Sequence, residues 1–354
     1  MNNSNLALAD LGWSTHFSMQ VDTDELNSLT PARLTQIHRS QIEAITTDGA
    51  KTLTTGAQDS TGEFAVGDWV LVNELNQIGR RLERLTLLER RIAGGEAKNQ
   101  LIGANIDVVF ITTSCNRDFN VARLERYLIL ARSAGIQPVI LLTKADLDDE
   151  PAAYESKVQK LDPMLPVISL DARDQSQVGA MLDWWRPGQT AALLGSSGVG
   201  KTTLLNSLTE TKELTAGMRE DDAKGRHTTT SRGLYPATDG RWLIDTPGMR
   251  ELRLLDVAEG VEAVFSDILE LAAQCRFTDC QHETEPKCAV QTAIATGDLD
   301  PDRLKRWRKL EREEKNNSMN IAEARKRNKE NAKYVKATLA KAKELKGLPD
   351  SKGT

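Results

Sequence analysis

The sequence is poor in cysteine and in aromatic residues, and it contains no long apolar run. Four cysteines among 354 residues do not suggest a disulfide framework, and three of the four fall within one short segment. No stretch approaches the roughly 18–20 apolar residues that a membrane helix requires, so we expect no membrane partner. The first residues, MNNSN, are neither basic nor apolar enough for a targeting signal. We therefore expect a cytoplasmic chain with reduced thiols.

The chain as a whole has no excess of positive charge, because 46 Lys and Arg stand against 51 Asp and Glu and the formal net charge is -5. Bulk charge therefore does not indicate nucleic-acid binding, but its distribution does. Residues 301–354 carry 17 Lys and Arg against 8 Asp and Glu, a net charge of +9, which leaves about -14 for the rest. Such asymmetry is typical of a basic arm that binds nucleic acid, and a solubilising tail is the alternative.

One motif stands out from this background, because residues 195–202 match the phosphate-binding P-loop pattern G-x-x-x-x-G-K-[ST]. Apolar residues predict a strand over 190–194 and a helix over 202–208, which is the context that the motif requires. Lys201 would reach the β- and γ-phosphates, which makes it a catalytic candidate, and Thr202 would bind Mg²⁺. The alternative is a Gly/Ser turn that happens to end in Lys-Thr. The predicted nucleotide-binding residues here are Gly195, Ser196, Ser197, Gly198, Val199, Gly200, Lys201, Thr202 and Thr203.

A second strand, over residues 242–245, ends in the sequence Asp245-Thr-Pro-Gly248. In P-loop nucleotide hydrolases, an Asp at a strand end holds Mg²⁺, and the N–H of a following Gly can meet the γ-phosphate. The alternative is a strand followed by a Pro-Gly turn. Because this motif follows a P-loop, we predict that Asp245 and Gly248 belong to the same nucleotide site.

A third strand, over residues 138–143, runs into Thr143-Lys144-Ala145-Asp146, which resembles the guanine-reading N-K-x-D element of GTPases. A carboxylate at Asp146 can accept two hydrogen bonds from guanine, and adenine lacks that donor pattern. Thr143 stands where Asn is usual, so a hydrogen bond that ties this loop to the P-loop is in question. A strand followed by a capped helix is the alternative. Residues 169–172 resemble a degenerate second base-contacting element.

The order of these motifs is unusual, because the base reader precedes the P-loop in the chain. Ordinary GTPases begin with the P-loop and end with the base readers. A circular permutation is physically reasonable where chain termini lie close together on the surface. The alternation of strands and helices, with a helix predicted over 121–134, still favours a doubly wound α/β sheet that binds its ligand at the carboxyl ends of its strands.

The segment between the P-loop and Asp245 contains His227 followed by three threonines. A Thr in such a switch segment commonly closes over Mg²⁺ and the γ-phosphate, and Thr229 is our candidate. Many GTPases place a water-orienting Gln after the Gly of D-x-x-G, but this chain has Met249, which cannot orient water. His227 is the candidate substitute, since imidazole can hydrogen-bond a water near neutral pH. An exposed loop histidine is the alternative.

A metal-binding pattern follows, in which Cys275, Cys280, His282 and Cys288 lie within fourteen residues. Three thiolates and one imidazole complete a tetrahedral Zn²⁺ site with no open position. Such closed coordination indicates a structural rather than a catalytic metal, and we predict one zinc ion per chain.

Taken together, these motifs resemble the circularly permuted GTPases that depend on the small ribosomal subunit, the RsgA or YjeQ group. Two further segments carry the resemblance, namely 103–111 and Phe119-Asn-x3-Leu124-Glu-Arg-Tyr127. The resemblance spans roughly residues 31–310. It implies GTP hydrolysis that is stimulated by the small ribosomal subunit during late maturation of that subunit, with its rRNA, GTP and GDP as partners. It also implies that His227 orients the attacking water in place of the Gln that this chain lacks after Gly248. We expect a monomer.

The resemblance also implies a multi-domain α/β architecture. Short β-like runs between residues 32 and 91 predict a five-stranded barrel, and the resemblance selects an OB-fold over an SH3-like barrel. Arg80, Arg81, Arg84, Arg90 and Arg91 offer a phosphate-facing edge, or else a solvated strand face. The predicted units are an N-terminal arm (1–30), an OB-fold (31–94), a circularly permuted P-loop GTPase domain (95–255), a helical zinc-binding domain (256–315) and a basic tail (316–354).

Two other functions fit some of these motifs. A P-loop ATPase or small-molecule kinase would keep the phosphate loop but would not need the base reader at Asp146. A non-catalytic scaffold that binds zinc and RNA would not need an intact Lys201, Thr202 and Asp245.

Overall fold

A computed structural model describes residues 6–56, 60–91, 99–209, 232–246 and 257–315. Within these ranges the chain forms thirteen β-strands and ten α-helices, besides short 3-10 turns. The strands are β1 (Thr30–Ile37), β2 (Ile42–Thr46), β3 (Gly49–Leu53), β4 (Trp69–Val72), β5 (Ile78–Arg81), β6 (Leu87–Arg91), β7 (Asn99–Ala104), β8 (Val108–Ser114), β9 (Gln137–Thr143), β10 (Val167–Leu170), β11 (Thr190–Gly195), β12 (Gly233–Ala237) and β13 (Arg241–Asp245). The helices are α1 (Thr15–Ser18), α2 (Thr23–Ser28), α3 (Val121–Ser133), α4 (Pro151–Gln159), α5 (Gln175–Val178), α6 (Lys201–Leu208), α7 (Ala258–Val264), α8 (Ser266–Ala272), α9 (Ala289–Thr296) and α10 (301–315).

The centre of the molecule is a mostly parallel sheet in the order β10-β9-β8-β11-β13-β12. Every neighbouring pair is parallel except β12 with β13. Strands β8 and β11 are buried along their whole length, as expected for strands covered on both faces. Strand β11 follows β8, β9 and β10 in the chain yet lies between β8 and β13. The observed fold is therefore the predicted α/β sheet with the P-loop strand at its middle.

Strands β1 to β5 form an antiparallel barrel on one side of this sheet. Strand β1 pairs with β2 and β4, β2 pairs with β3, and β4 pairs with β5. A parallel bridge between Thr54 and Gln77 joins the end of β3 to the start of β5 and closes the ring. Its interior is filled by small and branched apolar side chains, namely Ala32, Leu34, Ile42, Ala44, Leu53, Phe64, Val70, Val72 and Ile78. The predicted barrel has the expected number of strands.

The barrel and the parallel sheet are joined directly. Strand β1 pairs with β12 at Gln36 and Gly233. Arg33 of β1 is buried between the rings of Trp69 and Trp242, 5.8 Å from each ring centroid. Its guanidinium donates to the Leu11 carbonyl oxygen at 2.6 Å and to the hydroxyl of Thr190 in β11 at 2.5 Å. Arg33 therefore contacts the N-terminal arm, the barrel and the sheet at once.

In the part of the chain that the structure describes, strands β6 and β7 pair only with each other and form a separate two-stranded ladder. The domain boundary that we predicted at residues 94 and 95 lies between these two paired strands. Among the described residues, no helix is long and apolar enough to cross a membrane.

Helices α7 and α10 pack on α3 of the α/β layer. Gly260 permits this contact, because a Cβ at that position would lie 2.5 Å from the Ile129 carbonyl oxygen. Glu125 of α3 is fully buried and pairs with Arg306 at 2.8 Å and with Arg303 at 3.3 Å. Burial raises the pKa of Glu125, although its hydrogen bond to Arg306 acts in the opposite direction. Buried charges thus lock α10 onto α3.

Candidate functional site

The P-loop motif lies at the carboxyl end of β11, between the ends of β8 and β13. Gly195 passes so close to β8 that a Cβ there would lie 2.3 Å from the Thr112 carbonyl oxygen. Gly200, with a φ of 100°, is the N-cap of α6. Only glycine accepts both conditions without strain. The loop therefore wraps tightly around the start of α6, where backbone N–H groups converge.

Lys201 is folded into this loop. Its ammonium donates to the carbonyl oxygens of Gly195 and Ser196 at 2.9 and 2.8 Å. Burial lowers the pKa of Lys201 to about 8, although the nearby charge of Asp245 acts in the opposite direction. A buried cation held mainly by neutral carbonyls is poorly compensated. The loop therefore contains a positive charge that an anion would stabilise.

The remaining loop residues divide by exposure. Ser197 and Gly198 form the exposed tip, whereas Val199 is buried beneath it. Thr202 and Thr203 lie in the first turn of α6 and are partly exposed. The exposed tip and the first helical turn together leave the anion-binding side of the loop open to a ligand.

The predicted base-reading loop contacts the P-loop directly. Thr143 is fully buried at the end of β9, and its hydroxyl donates to the Val199 carbonyl oxygen at 2.6 Å. Lys144 has a left-handed backbone, with a φ of 57°, and its ammonium donates to the Gly198 carbonyl oxygen at 2.9 Å. A hydrogen bond between this loop and the P-loop is therefore present, although Thr143 stands where Asn is usual.

Ala145 and Asp146 follow in a short 3-10 turn at the sheet's carboxyl edge. The second predicted base element, residues 169–172, begins in the last two residues of β10, which is parallel to β9. Its Ala172 carbonyl oxygen accepts from Ser207 of α6 at 3.0 Å, which connects the element to the P-loop helix. The hydroxyl of Ser169 instead donates to Glu155 of α4 at 2.5 Å. Ala172, at the end of the element, therefore contacts the P-loop helix, whereas Ser169 does not.

Asp245 is the last residue of β13, where it lies in register with Leu193 of the P-loop strand. It is buried, with a relative exposure of 8 %, and its charge acts on Lys201. The structure therefore brings Asp245 to the P-loop as predicted from the motif spacing. Gly248, His227 and Thr229 lie outside the described residues.

Sequence reasoning missed a contact from α3. Arg123 donates from its guanidinium to the Ser196 hydroxyl at 2.7 Å. Asn120 caps the helix by accepting from the Arg123 backbone N–H at 2.9 Å, which fixes where the helix begins. The sequence segment from Phe119 to Tyr127, which supports the family resemblance, contains Arg123 but gives no reason to place it at the P-loop.

The four predicted metal ligands converge within 4.8 Å of one another. The sulfurs of Cys275 and Cys288 are 3.8 Å apart, and each lies 3.5 Å from Nδ1 of His282. A tetrahedral zinc ion would place two sulfurs about 3.8 Å apart, and a sulfur and a nitrogen about 3.6 Å apart. With Cys280 as fourth member, the cluster fits zinc in both ligand chemistry and spacing.

Local structure prepares these ligands for a metal. Cys288 is the N-cap of α9, and its sulfur accepts from the Gln291 backbone N–H at 3.4 Å, which fixes the sulfur at the start of that helix. Burial lowers the pKa of His282, which favours the neutral ring that binds metals. Arg308 of α10 donates to the His282 carbonyl oxygen at 2.9 Å. The cluster is therefore braced by the same helix that packs on α3.

The arginines predicted as a phosphate-facing edge of the barrel are largely engaged elsewhere. Arg80 pairs with Glu25 of the N-terminal arm at 2.8 Å, and Arg84 pairs with the buried Asp68 at 2.6 Å. Arg81 lies 3.9 Å from the same Asp68, and Arg90 donates to Gln100 at 3.0 Å. Arg80 therefore joins the N-terminal arm to the barrel, and Arg90 links β6 to β7.

Known proteins are similar to this chain in sequence and in fold. The RsgA GTPase family matches residues 81–255. A Mesorhizobium japonicum protein named small ribosomal subunit biogenesis GTPase RsgA is 49 % identical over 320 residues, which cover 89 % of this chain and 92 % of that protein. The structure resembles that of YjeQ from Thermotoga maritima, with 21 % identity and a TM-score of 0.58 over 80 % of this chain and 97 % of the other. It also resembles YloQ, described as a circularly permuted GTPase, with 23 % identity and a TM-score of 0.55 over 81 % and 96 % of the two chains.

The two solved structures share the mixed α/β fold of this chain. The identity to the Mesorhizobium protein extends over most of both chains, well beyond the P-loop itself. The chain belongs to the RsgA GTPase family.

Proposed function

We propose that this chain is a GTPase that binds the small ribosomal subunit and hydrolyses GTP when that subunit stimulates it, as a late factor in its assembly. The observation that carries the GTPase assignment is the 2.6 Å hydrogen bond from Thr143 to Val199. It puts the loop of Asp146 beside the P-loop, so that one nucleotide can meet both. The relatives' names support the ribosomal part of the proposal.

Each predicted site residue has a role in this proposal. Gly195 to Thr203 surround the phosphates, with Lys201 at the β- and γ-phosphates and Thr202 as a Mg²⁺ ligand. Asp245 supports the same ion, which supplies positive charge to the phosphates when bound. Asp146 reads guanine, while Lys144 lies along the base. Gly248, Thr229 and His227 act at the γ-phosphate, at Mg²⁺ and at the attacking water, respectively.

The other parts of the chain would serve RNA binding. We assign one structural zinc ion to Cys275, Cys280, His282 and Cys288, because their spacing fits a tetrahedral site. We assign an OB-fold to the five-stranded barrel, whose closure by the bridge between Thr54 and Gln77 supports that choice. We keep the predicted units as part of this proposal, with the limit at residues 94 and 95 dividing the β6–β7 ladder, and the basic residues beyond 315 would bind rRNA. We place the protein in the cytoplasm as a monomer.

GTP turnover with and without purified small subunits tests the proposal. We expect the subunits to raise the turnover rate at least tenfold, in line with the size of stimulation by GTPase-activating partners. His227→Ala should lose most of the stimulated rate while it keeps GDP affinity. Turnover that is unchanged by subunits would refute the ribosomal assignment.

Guanine reading has a separate test. Asp146→Asn should weaken GTP binding and increase binding of xanthosine triphosphate, because an amide donates where the carboxylate accepts. An unchanged preference between GTP and ATP would favour a P-loop ATPase or kinase. Absence of single-turnover GTP cleavage on the subunit would favour a non-catalytic scaffold.

A further inference from the structure

The carboxylate of Asp146 has a charged partner that the motif does not contain. Arg173, which follows the second base element, donates from Nη2 to Oδ2 of Asp146 at 2.8 Å. The Asp146 side chain is 32 % exposed and the Arg173 side chain 67 % exposed, so both remain open to a ligand at this edge. The pair spans the two loops that flank the predicted base site.

Arg173 is itself held in place. Its Nε lies 3.0 Å from one oxygen of Asp171, and its Nη2 lies 2.9 Å from the other. The Asp171 backbone N–H donates to Gln177 at 2.9 Å, and the neighbouring Ala172 is tied to the P-loop helix. One guanidinium group therefore bridges Asp171 and Asp146, and its anchor is connected to the P-loop helix.

This arrangement leaves Asp146 able to accept a base. A carboxylate has about four acceptor positions, and the contact with Arg173 uses one of them. Guanine needs two, for its N1–H and its 2-amino group. Without such a partner, the Asp146 side chain would rotate freely and would lose that freedom when guanine binds, which would lower the affinity. The guanidinium holds that carboxylate before guanine arrives.

We propose that Arg173 is a positioning residue for guanine recognition, which holds the Asp146 carboxylate so that both oxygens face the two guanine donors. This inference depends on the proposed function, since it names a further specificity residue of the same nucleotide site. The ligands it concerns are nucleotides whose base presents two adjacent donors.

Equilibrium binding of GDP, inosine diphosphate and ADP to the full chain tests the inference. Hypoxanthine lacks the 2-amino group, so a carboxylate that has lost Arg173 can still turn to meet its single donor. We expect Arg173→Ala to weaken GDP about fivefold and inosine diphosphate about twofold, within the range of exposed ion pairs, and to leave ADP unchanged. Arg173→Lys should recover part of the GDP affinity, because it keeps the charge without the fork.

The matched control is Arg186→Ala, which removes an exposed arginine four residues before β11, at the amino end of that strand and away from the P-loop. It should leave all three affinities unchanged. In an Asp146→Ala background, Arg173→Ala should change GDP affinity by less than about 1.5-fold, because its effect passes through Asp146. Wild-type protein without a preference for GDP over ADP would refute the proposed function itself.

Three results would overturn the role of Arg173 while guanine preference in the wild type stands. Tighter GDP binding by Arg173→Ala would mean that the arginine competes with the base. Equal weakening of all three nucleotides would mean a general effect of charge on the phosphates. A full effect in the Asp146→Ala background would mean that Arg173 contacts the nucleotide independently of Asp146.

Discussion

The Thr143 hydroxyl lies 2.6 Å from the Val199 carbonyl oxygen, and this single contact joins the end of β9 to the middle of the P-loop. The same hydroxyl lies 3.1 Å from the Thr113 carbonyl oxygen of β8. Because a hydroxyl has only one hydrogen, the shorter contact takes it. A threonine can therefore make this tie through a shorter side chain than asparagine, since β9 brings it directly against the loop.

Removing this hydroxyl should loosen the nucleotide site. Thr143→Val keeps the shape of the buried side chain but leaves the Val199 carbonyl oxygen without its donor, which costs about 1–3 kcal/mol of unfolding free energy. We expect GDP affinity to fall as well. Urea unfolding and GDP titration measure the two effects, and Thr143→Ser is the control that keeps the hydroxyl. Equal behaviour of the Val and Ser variants would contradict the tie.

The buried ammonium of Lys201 should make stability rise with pH in the nucleotide-free protein. Its pKa is lowered from 10.5 to about 8 in the folded state, so between these values the unfolded chain binds more protons. The unfolding free energy should therefore increase over that window by up to about 3 kcal/mol relative to Lys201→Met. Chemical unfolding at a series of pH values measures it. Parallel curves for the two proteins would show that Lys201 is not desolvated.

Zinc content should follow the Cys/His cluster alone. We expect one zinc ion per purified chain, and loss of that ion in Cys288→Ser, because three ligands bind zinc more weakly than four. Elemental analysis gives the stoichiometry. Cys115→Ala is the matched control, since Cys115 is buried beside β9 and outside the cluster. Zinc retained by Cys288→Ser but lost from the control would reverse the assignment.

The charges between α3 and α10 should be costly to break. Arg303 is 4 % exposed and donates to Asp267 at 2.7 Å and to the Val264 carbonyl oxygen at 2.8 Å, besides its pairing with Glu125. Arg303→Met should lower the unfolding free energy by about 1–3 kcal/mol, because it leaves the Val264 carbonyl oxygen without this donor and leaves Glu125 with Arg306 as its remaining cation. Lys305→Ala on the same helix removes an exposed charge and should change it by less than about 0.5 kcal/mol. Similar urea midpoints for the two variants would contradict this account.

Sequence patterns predicted the central site well, since each motif there depends on local spacing. The strand, loop and helix around Lys201 follow from apolar runs and glycines within about twenty residues. The Cys/His cluster is likewise local. The motif order, combined with a parallel sheet, was enough to place Asp146 and Asp245 at one edge of the sheet.

Contacts between distant segments could not be predicted in this way. Strand β1 has no clear alternation, because Arg33 occupies a buried position, where the rings of Trp69 and Trp242 and two hydrogen bonds from distant segments compensate its charge. Arg123 and Arg173 look like ordinary surface arginines in the sequence. Their roles depend on which carboxylate or hydroxyl the fold brings near them, and a local pattern does not contain that information.

Pairing of β1 with β12 at Gln36 and Gly233 covers part of a sheet edge, and a bridge from Thr209 to Ala237 covers its far end. Strand β12 borders β13 on one side, and on the other it meets β1 at Gly233. Further along β12, Pro236 offers no N–H to an incoming strand. Exposed strand edges are templates for aggregation, so the barrel shields this sheet from self-association as well as extending it.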